Sequence, residues 1–214
     1  YALGYSGAYP HIVADDPHFV AFLGDYVYES SWGKDHVRSH GSLEPYALED
    51  YRARYALYKS DPDLQAAHAA CPWIVTWDDH EVDNDYANDR SEDLDPDFLA
   101  RRAAAYKAFY EHMPMRRSVL AANGMRIYGR LDWGSLARFH VLDDRQYRSH
   151  QVCPRANRGG SNVVGAECTA RVEQDGTLLG AEQERWLDQS LAGSRALWNL
   201  VVQQTLFVPA GRTT

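Results

Sequence analysis

The sequence predicts an α/β fold with a mixed sheet, or two packed sheets, between flanking helices. Three observations lead there. Short apolar runs rich in β-branched and aromatic residues alternate with helical patterns through the first half. In the middle, two runs of alternating polar and apolar residues flank Asp132-Trp133-Gly134-Ser135, the pattern of a hairpin. A hydrophobic content of 45% over 214 residues is enough to bury a substantial core, so one domain is the simplest organisation.

The first strand is expected at 19–23, where Phe19-Val20-Ala21-Phe22-Leu23 has the continuous apolar character of a strand buried on both faces. Glu44-Pro45-Tyr46 opens a helix that runs to about Tyr58, with Pro45 near its first position and Leu48, Tyr51 and Tyr55 spaced along one face. A shorter helix at 62–70 leads into a second buried strand, Trp73-Ile74-Val75-Thr76-Trp77. After a polar stretch at 84–97, residues 98–112 form an amphipathic helix presenting Phe98, Ala105, Phe109 and His112. Strands at 126–131 and 136–142 make the hairpin, and 149–180 is a long loop. A helix at 181–191 turns Trp186 and Leu187 inward, and a last strand spans 198–204.

Composition narrows the function classes. A formal net charge of −8 argues against specific nucleic-acid binding, which needs a concentrated basic face. No apolar run approaches the roughly 20 residues that cross a bilayer, and neither end resembles a signal peptide. The chain opens at Tyr1 without Met and stops soon after Phe207-Val208-Pro209, so a piece incomplete at both ends is expected; oligomeric state is not legible. Of the three cysteines, Cys153 and Cys168 are the candidate disulfide pair, in a Gly/Asn-rich loop, which would indicate an oxidising compartment. Cys71, just before Pro72 and a buried strand, reads as an inert core thiol.

Two acidic turns carry the chemistry. Gly24-Asp25-Tyr26-Val27-Tyr28-Glu29 follows the first apolar run, and Asp78-Asp79-His80-Glu81 follows the second. Ligands of open α/β sheets bind outside the carboxyl ends of the strands, so both turns face a crevice. Asp25 either binds a cation or caps a turn after Gly24, and Tyr28, three residues on, is either a phenolic ligand of the same centre or a packing tyrosine. Metal-assisted phosphoester chemistry needs oxygen ligands for the cations, an activated hydroxide and a proton donor for the leaving oxygen. Asp78, Asp79, His80 and Glu81 supply all but the water, with His80 suited to the donor role; a hydrogen-bonded structural histidine is the alternative.

Other patterns carry less. The run from Asp83 to Asp89 suggests an EF-hand but has Asn88 and Leu94 where that loop needs Gly and Glu, so a solvated loop is expected. His36 and His40 are four apart, among residues that favour a surface loop. Arg145, in Leu142-Asp143-Asp144-Arg145-Gln146-Tyr147-Arg148, offers either a fork for phosphate oxygens or a structural ion pair with Asp143 or Asp144. There is no Walker loop, Gly-x-Ser-x-Gly elbow or His-Glu-x-x-His helix.

Four blocks taken together, Phe22-Leu23-Gly24-Asp25-Tyr26-Val27-Tyr28-Glu29, Thr76-Trp77-Asp78-Asp79-His80-Glu81-Val82-Asp83-Asn84-Asp85-Tyr86-Ala87, Leu142 to Arg148, and Leu179-Gly180-Ala181-Glu182-Gln183-Glu184-Arg185-Trp186-Leu187, resemble the PhoD-like alkaline phosphatases. The resemblance implies a calcineurin-like metallophosphoesterase sandwich of two sheets with helices outside, of which residues 1–214 are the central part of one catalytic domain. It implies a secreted, twin-arginine-exported enzyme, periplasmic or cell-wall associated, that hydrolyses phosphate mono- and diesters with ferric iron and calcium through a metal-bound hydroxide. Carried over by position, Asp25, Tyr28 and Asp79 match metal ligands, His80 the residue that assists the leaving group, and Arg145 a substrate-side residue. The family's ligand Cys would precede Tyr1 and its late Asp and His would follow Val208, so weak or no activity is expected of these residues alone. A noncatalytic extracellular calcium-binding module, or a degenerate relative, is the rival reading.

Overall fold

The computed structural model describes residues 7–31, 39–121, 124–173 and 175–207. It is mixed α/β with small sheets. A short helix that the sequence did not announce, α1 (Tyr9–Ala14), carries Pro10 in its first turn and packs on α3 (Pro62–Ala70). Strand β1 (Val20–Phe22) pairs in parallel with β2 (Trp73–Val75), Ala21 opposite Ile74. Between them α2 (Leu48–Lys59) starts later than expected. Ala47 is its N-cap, the Asp50 carboxylate accepts the Ala47 N–H at 2.8 Å, and Pro45 lies outside the helix.

Helix α4 (Phe98–His112) lies against α2 and buries Phe98, Ala105 and Phe109 as its periodicity predicts, with His112 half-buried. After a 3-10 turn, β3 (Leu120–Ala121) and β4 (Gly124–Met125) form a short ladder. The expected hairpin is present as β5 (Gly129–Trp133) and β6 (Ala137–Val141), Leu131 opposite Phe139, with Gly134 at φ 56° in its turn. The long loop contains α5 (Ala170–Glu173), and α6 (Gly180–Ala192) leads to β7 (Trp198–Val202), which adds to β6 in parallel.

The core is aromatic. Tyr51, Tyr55 and Tyr58 of α2, Trp77 and Tyr86 from the turns after β2, and Phe98, Tyr106 and Phe109 of α4 form one buried cluster, with Trp77 stacked on Tyr106 at 4.2 Å. Two strands are less buried than their sequence suggests: β1 exposes Ala21, and β7 buries only Val202. Among the described residues each lies at a sheet edge, and an apolar run does not distinguish that from a central strand. Trp186 and Leu187 are half-buried, while Gln183 and Ser190 are the buried residues of α6.

Cys71 is half-buried and packs on the core. A disulfide joins Cys153 to Cys168 across a sequence separation of 15 residues. Cross-linking a loop of that length stabilises the folded state by about 3 kcal/mol. Cys153→Ser should therefore lower stability by about that amount in a denaturant melt. An unchanged midpoint would mean that the Ser161–Asp85 and Arg158–Glu92 contacts hold the loop unaided.

Candidate metal and active site

Parallel pairing sends β1 and β2 out at the same end, which brings the two acidic turns face to face. Gly24 at φ 98° and Asp25 at φ 56° turn the chain sharply, the latter in a left-handed conformation that Asp tolerates better than most residues. Glu81, fully buried, staples one turn to the other: its carboxylate accepts the Tyr26 N–H at 2.5 Å and the Asp78 N–H at 2.8 Å. Burial and the Asp25 charge push the Glu81 pKa up to about 8. From the other side buried Arg54 donates to the carbonyls of Tyr28 and Glu29, fixing the far end of the first turn.

Ligand atoms of Asp25, Asp79 and His80 all lie within 4.8 Å of one another. Asp25 Oδ2 accepts the Tyr28 hydroxyl at 3.1 Å, while its Oδ1 is buried with no hydrogen-bond partner. Burial raises the Asp25 pKa, partly opposed by the charge of His80. Tyr28 is also pushed up, by burial and then by Asp25, so it is a neutral donor here. Asp79 Oδ2 accepts the Asp85 N–H at 2.6 Å. Asp78 rises to about 6, through burial first, with Arg145 opposing.

His80 Nδ1 lies 2.7 Å from Glu29 Oε2, and Glu29 Oε1 takes the Asn84 N–H at 3.2 Å. A carboxylate only accepts, so Nδ1 carries a proton and Nε2 is the edge that gains or loses one. Burial alone would lower the His80 pKa; the bond to Glu29 and the charges of Glu29, Asp79 and Asp25 outweigh it and raise it to about 9. A cluster of carboxylate oxygens with a phenol and an imidazole, one oxygen buried and unmatched, fits a hard cation.

The second half of the crevice comes from the other sheet. Leu142, which follows β6, offers its carbonyl to Thr76 Oγ1 at 3.0 Å and Gln204 Nε2 at 2.8 Å, tying the ends of β2, β6 and β7 together. Asp143, fully buried, accepts Trp77 Nε1 at 3.1 Å and the N–H groups of Arg145 and Gln146. The family model for PhoD-like phosphatases matches residues 1–213. The chain belongs to that family. It is 46% identical over 217 residues to alkaline phosphatase D of Bacillus subtilis (strain 168), covering 97% of this chain and 36% of the relative. A solved structure described as "Structure of PhoD" superposes with a TM-score of 0.84 at 45% identity, covering 98% of this chain and 40% of that one. The chain thus spans well under half the length of both PhoD relatives.

In this PhoD-like chain the structure gathers Asp25, Tyr28, Asp79 and His80 in one place, and it departs from the sequence reading at three others. Arg145 does form ion pairs, but with Asp78 (2.6 Å), Asp79 (3.4 Å) and Asp85 (3.0 Å) rather than with Asp143 or Asp144; only its backbone N–H meets Asp143. The stretch from Asp83 to Asp89 is not a solvated loop: Tyr86 and Ala87 are buried, Asp83 pairs with Arg101 at 3.0 Å, and Asp85 takes the N–H and hydroxyl of Ser161. His40 is half-buried between Tyr58 (3.0 Å) and Arg54 (2.8 Å) instead of loose on the surface, and His36 lies outside the described residues. Glu29 and Glu81, read from the sequence only as members of the two acidic turns, serve as structural partners of His80 and of the Tyr26 and Asp78 backbone, and Arg54 is a partner the sequence did not single out. No described helix is long and apolar enough to cross a membrane.

Proposed function

We propose that the protein hydrolyses phosphate mono- and diesters with cations held by Asp25, Tyr28 and Asp79, the residues 1–214 being the central part of one two-sheet metallophosphoesterase domain. The observation that carries this reading is the convergence of Asp25, Asp79 and His80, with Asp25 Oδ1 buried and unmatched. Oxygen donors with a phenol suit ferric iron with calcium. Such cations supply positive charge against the phosphoryl oxygens and activate water.

The chain's own residues do the rest. Asp25 and Asp79 would hold the cations at the mouth of the β1 and β2 turns, with Glu81 keeping the two turns in register. His80, oriented by Glu29 through Nδ1, gives the Nε2 proton to the departing alkoxide. Arg145 stands at the substrate side while neutralising Asp78, Asp79 and Asp85. The Cys153–Cys168 disulfide supports a secreted or periplasmic location, because cytosolic thiols stay reduced. Residues 1–214 alone should turn over weakly or not at all, because they hold part of the family's ligand set.

The test is metal analysis of the full-length protein purified without chelator, with turnover of a chromogenic phosphodiester and monoester. Iron with calcium, and turnover lost on chelation, are expected. Asp25→Asn should reduce both cation content and turnover by about 10- to 100-fold or more. Bound calcium without iron or turnover would instead establish a structural-cation module.

A further inference from the structure

Arg148 behaves unlike the other inward arginines. Arg54, Arg101 and Arg145 are buried and fully engaged: Arg54 with backbone carbonyls, Arg101 with Tyr51 and Asp83, Arg145 with three carboxylates. Arg148 is half-buried, its Nε is shielded from water with no hydrogen-bond partner, and it joins no ion pair among the described residues. Burial lowers its pKa and Arg145 adds to that, while Asp85, Asp144 and Asp78 act in the other direction.

A shielded N–H without an acceptor is costly, and buried polar groups are almost always matched. A planar fork of donors three residues beyond Arg145 is shaped for an anionic oxygen pair. Its lack of an acceptor separates it from Arg145. Arg145 is taken up by Asp79 of the ligand cluster and by Asp78 and Asp85, whereas Arg148 shares the influence of Asp78 and Asp85, with Asp144, but pairs with none of them. Asp85, one of the carboxylates acting on Arg148, also holds Ser161 of the disulfide-closed loop, so the same acidic group joins that loop to the crevice.

Resting on the phosphate-ester reading above, we propose that Arg148 binds a second anionic group of the substrate, adjoining the phosphoryl group presented to Asp25, Asp79 and His80. The favoured substrates are then phosphate esters that carry more than one phosphate. The test uses the full-length protein and two chromogenic nitrophenyl phosphodiesters of a nucleoside, one with a further phosphate on the sugar and one without. Wild type should prefer the doubly phosphorylated compound. Arg148→Ala should lose about 10- to 100-fold in kcat/KM on that compound, mainly through KM, and nothing on the simpler one. Arg148→Lys should recover part of the loss, and the melting midpoint of both variants should stay close to wild type because no ion pair among the described residues is removed and the Nε left without an acceptor goes with the guanidinium.

Equal use of both compounds by wild type, an equal loss on both, or no loss on either overturns the proposal; an equal loss would mean that Arg148 serves charge balance. Should wild type hydrolyse neither, the phosphate-ester reading fails by itself. Calorimetric binding of the doubly phosphorylated nucleoside then decides Arg148: weaker binding to Arg148→Ala supports the assignment and identical binding removes it.

Discussion

Replacing His80 with alanine in the full-length protein should reduce phosphate-ester turnover by about 100- to 10,000-fold, the usual contribution of a positioned proton donor, while bound cations stay in place. The geometry behind this expectation is the Glu29–His80 pair, 2.7 Å apart and shielded from water. Glu29 is itself fixed, by Asn84 N–H on its second oxygen and by Arg54 on its backbone carbonyl, so the imidazole has one orientation rather than several. A carboxylate behind a histidine also occurs where the histidine binds a metal, and ligand atoms of His80 lie within 4.8 Å of Asp25 and Asp79. Cation content of the variant separates the two roles. Retained metal with lost turnover marks a donor; metal lost with turnover marks a ligand and would sink the assignment. A smaller loss is expected for Glu29→Gln, which keeps a hydrogen-bond acceptor and removes the charge, with the metal again retained.

What the sequence disclosed and what it hid follow one physical division. Strand exits were legible, because a continuous apolar run ending in Gly24-Asp25 or Asp78-Asp79 marks both the strand and the place where its end meets solvent. The hairpin and the buried face of α4 were legible for the same reason, since their periodicities are local. The contacts that organise the site are not local. Glu81 reaches Tyr26 across 55 residues, Arg145 reaches Asp78 across 67, and no spacing rule connects such pairs. That is why the ion-pair partners the sequence offers Arg145, beside a phosphate-binding role, are its neighbours Asp143 and Asp144, and why the stretch from Asp83 to Asp89, polar in sequence, reads as solvated. Its charges are matched by Arg101, Arg145 and Ser161 from three distant segments. His40 lies in a loop as expected but is half-buried for the same reason, its partners Tyr58 and Arg54 lying on α2. The exposure of β7 was illegible because apolar composition does not report whether a face is covered.

Gly24→Ala should do more damage than its size suggests. At φ 98° the residue lies outside the conformations that a side chain adopts readily, which by itself costs about 1–2 kcal/mol. A Cβ there would also stand 2.3 Å from the Asp78 nitrogen, 2.6 Å from Asp78 Cβ and 2.8 Å from the Trp77 carbonyl carbon. Two of those atoms are backbone, so no rotamer change relieves the clash, and the turns after β1 and β2 must move apart at about 1–3 kcal/mol more. The displacement acts where function depends on it. Asp78 N–H is bonded to Glu81, and Glu81 holds Tyr26, so separating the turns strains the staple between them and moves Asp25 away from Asp79. The variant should therefore lose about 2–5 kcal/mol of stability in a denaturant melt. Any folded fraction should bind cations weakly, even though Gly24 carries no ligand atom. A variant that melts like wild type and keeps its metal would mean that the two turns tolerate a wider gap, and that the 4.8 Å convergence of Asp25, Asp79 and His80 does not rest on the Gly24–Asp78 contact.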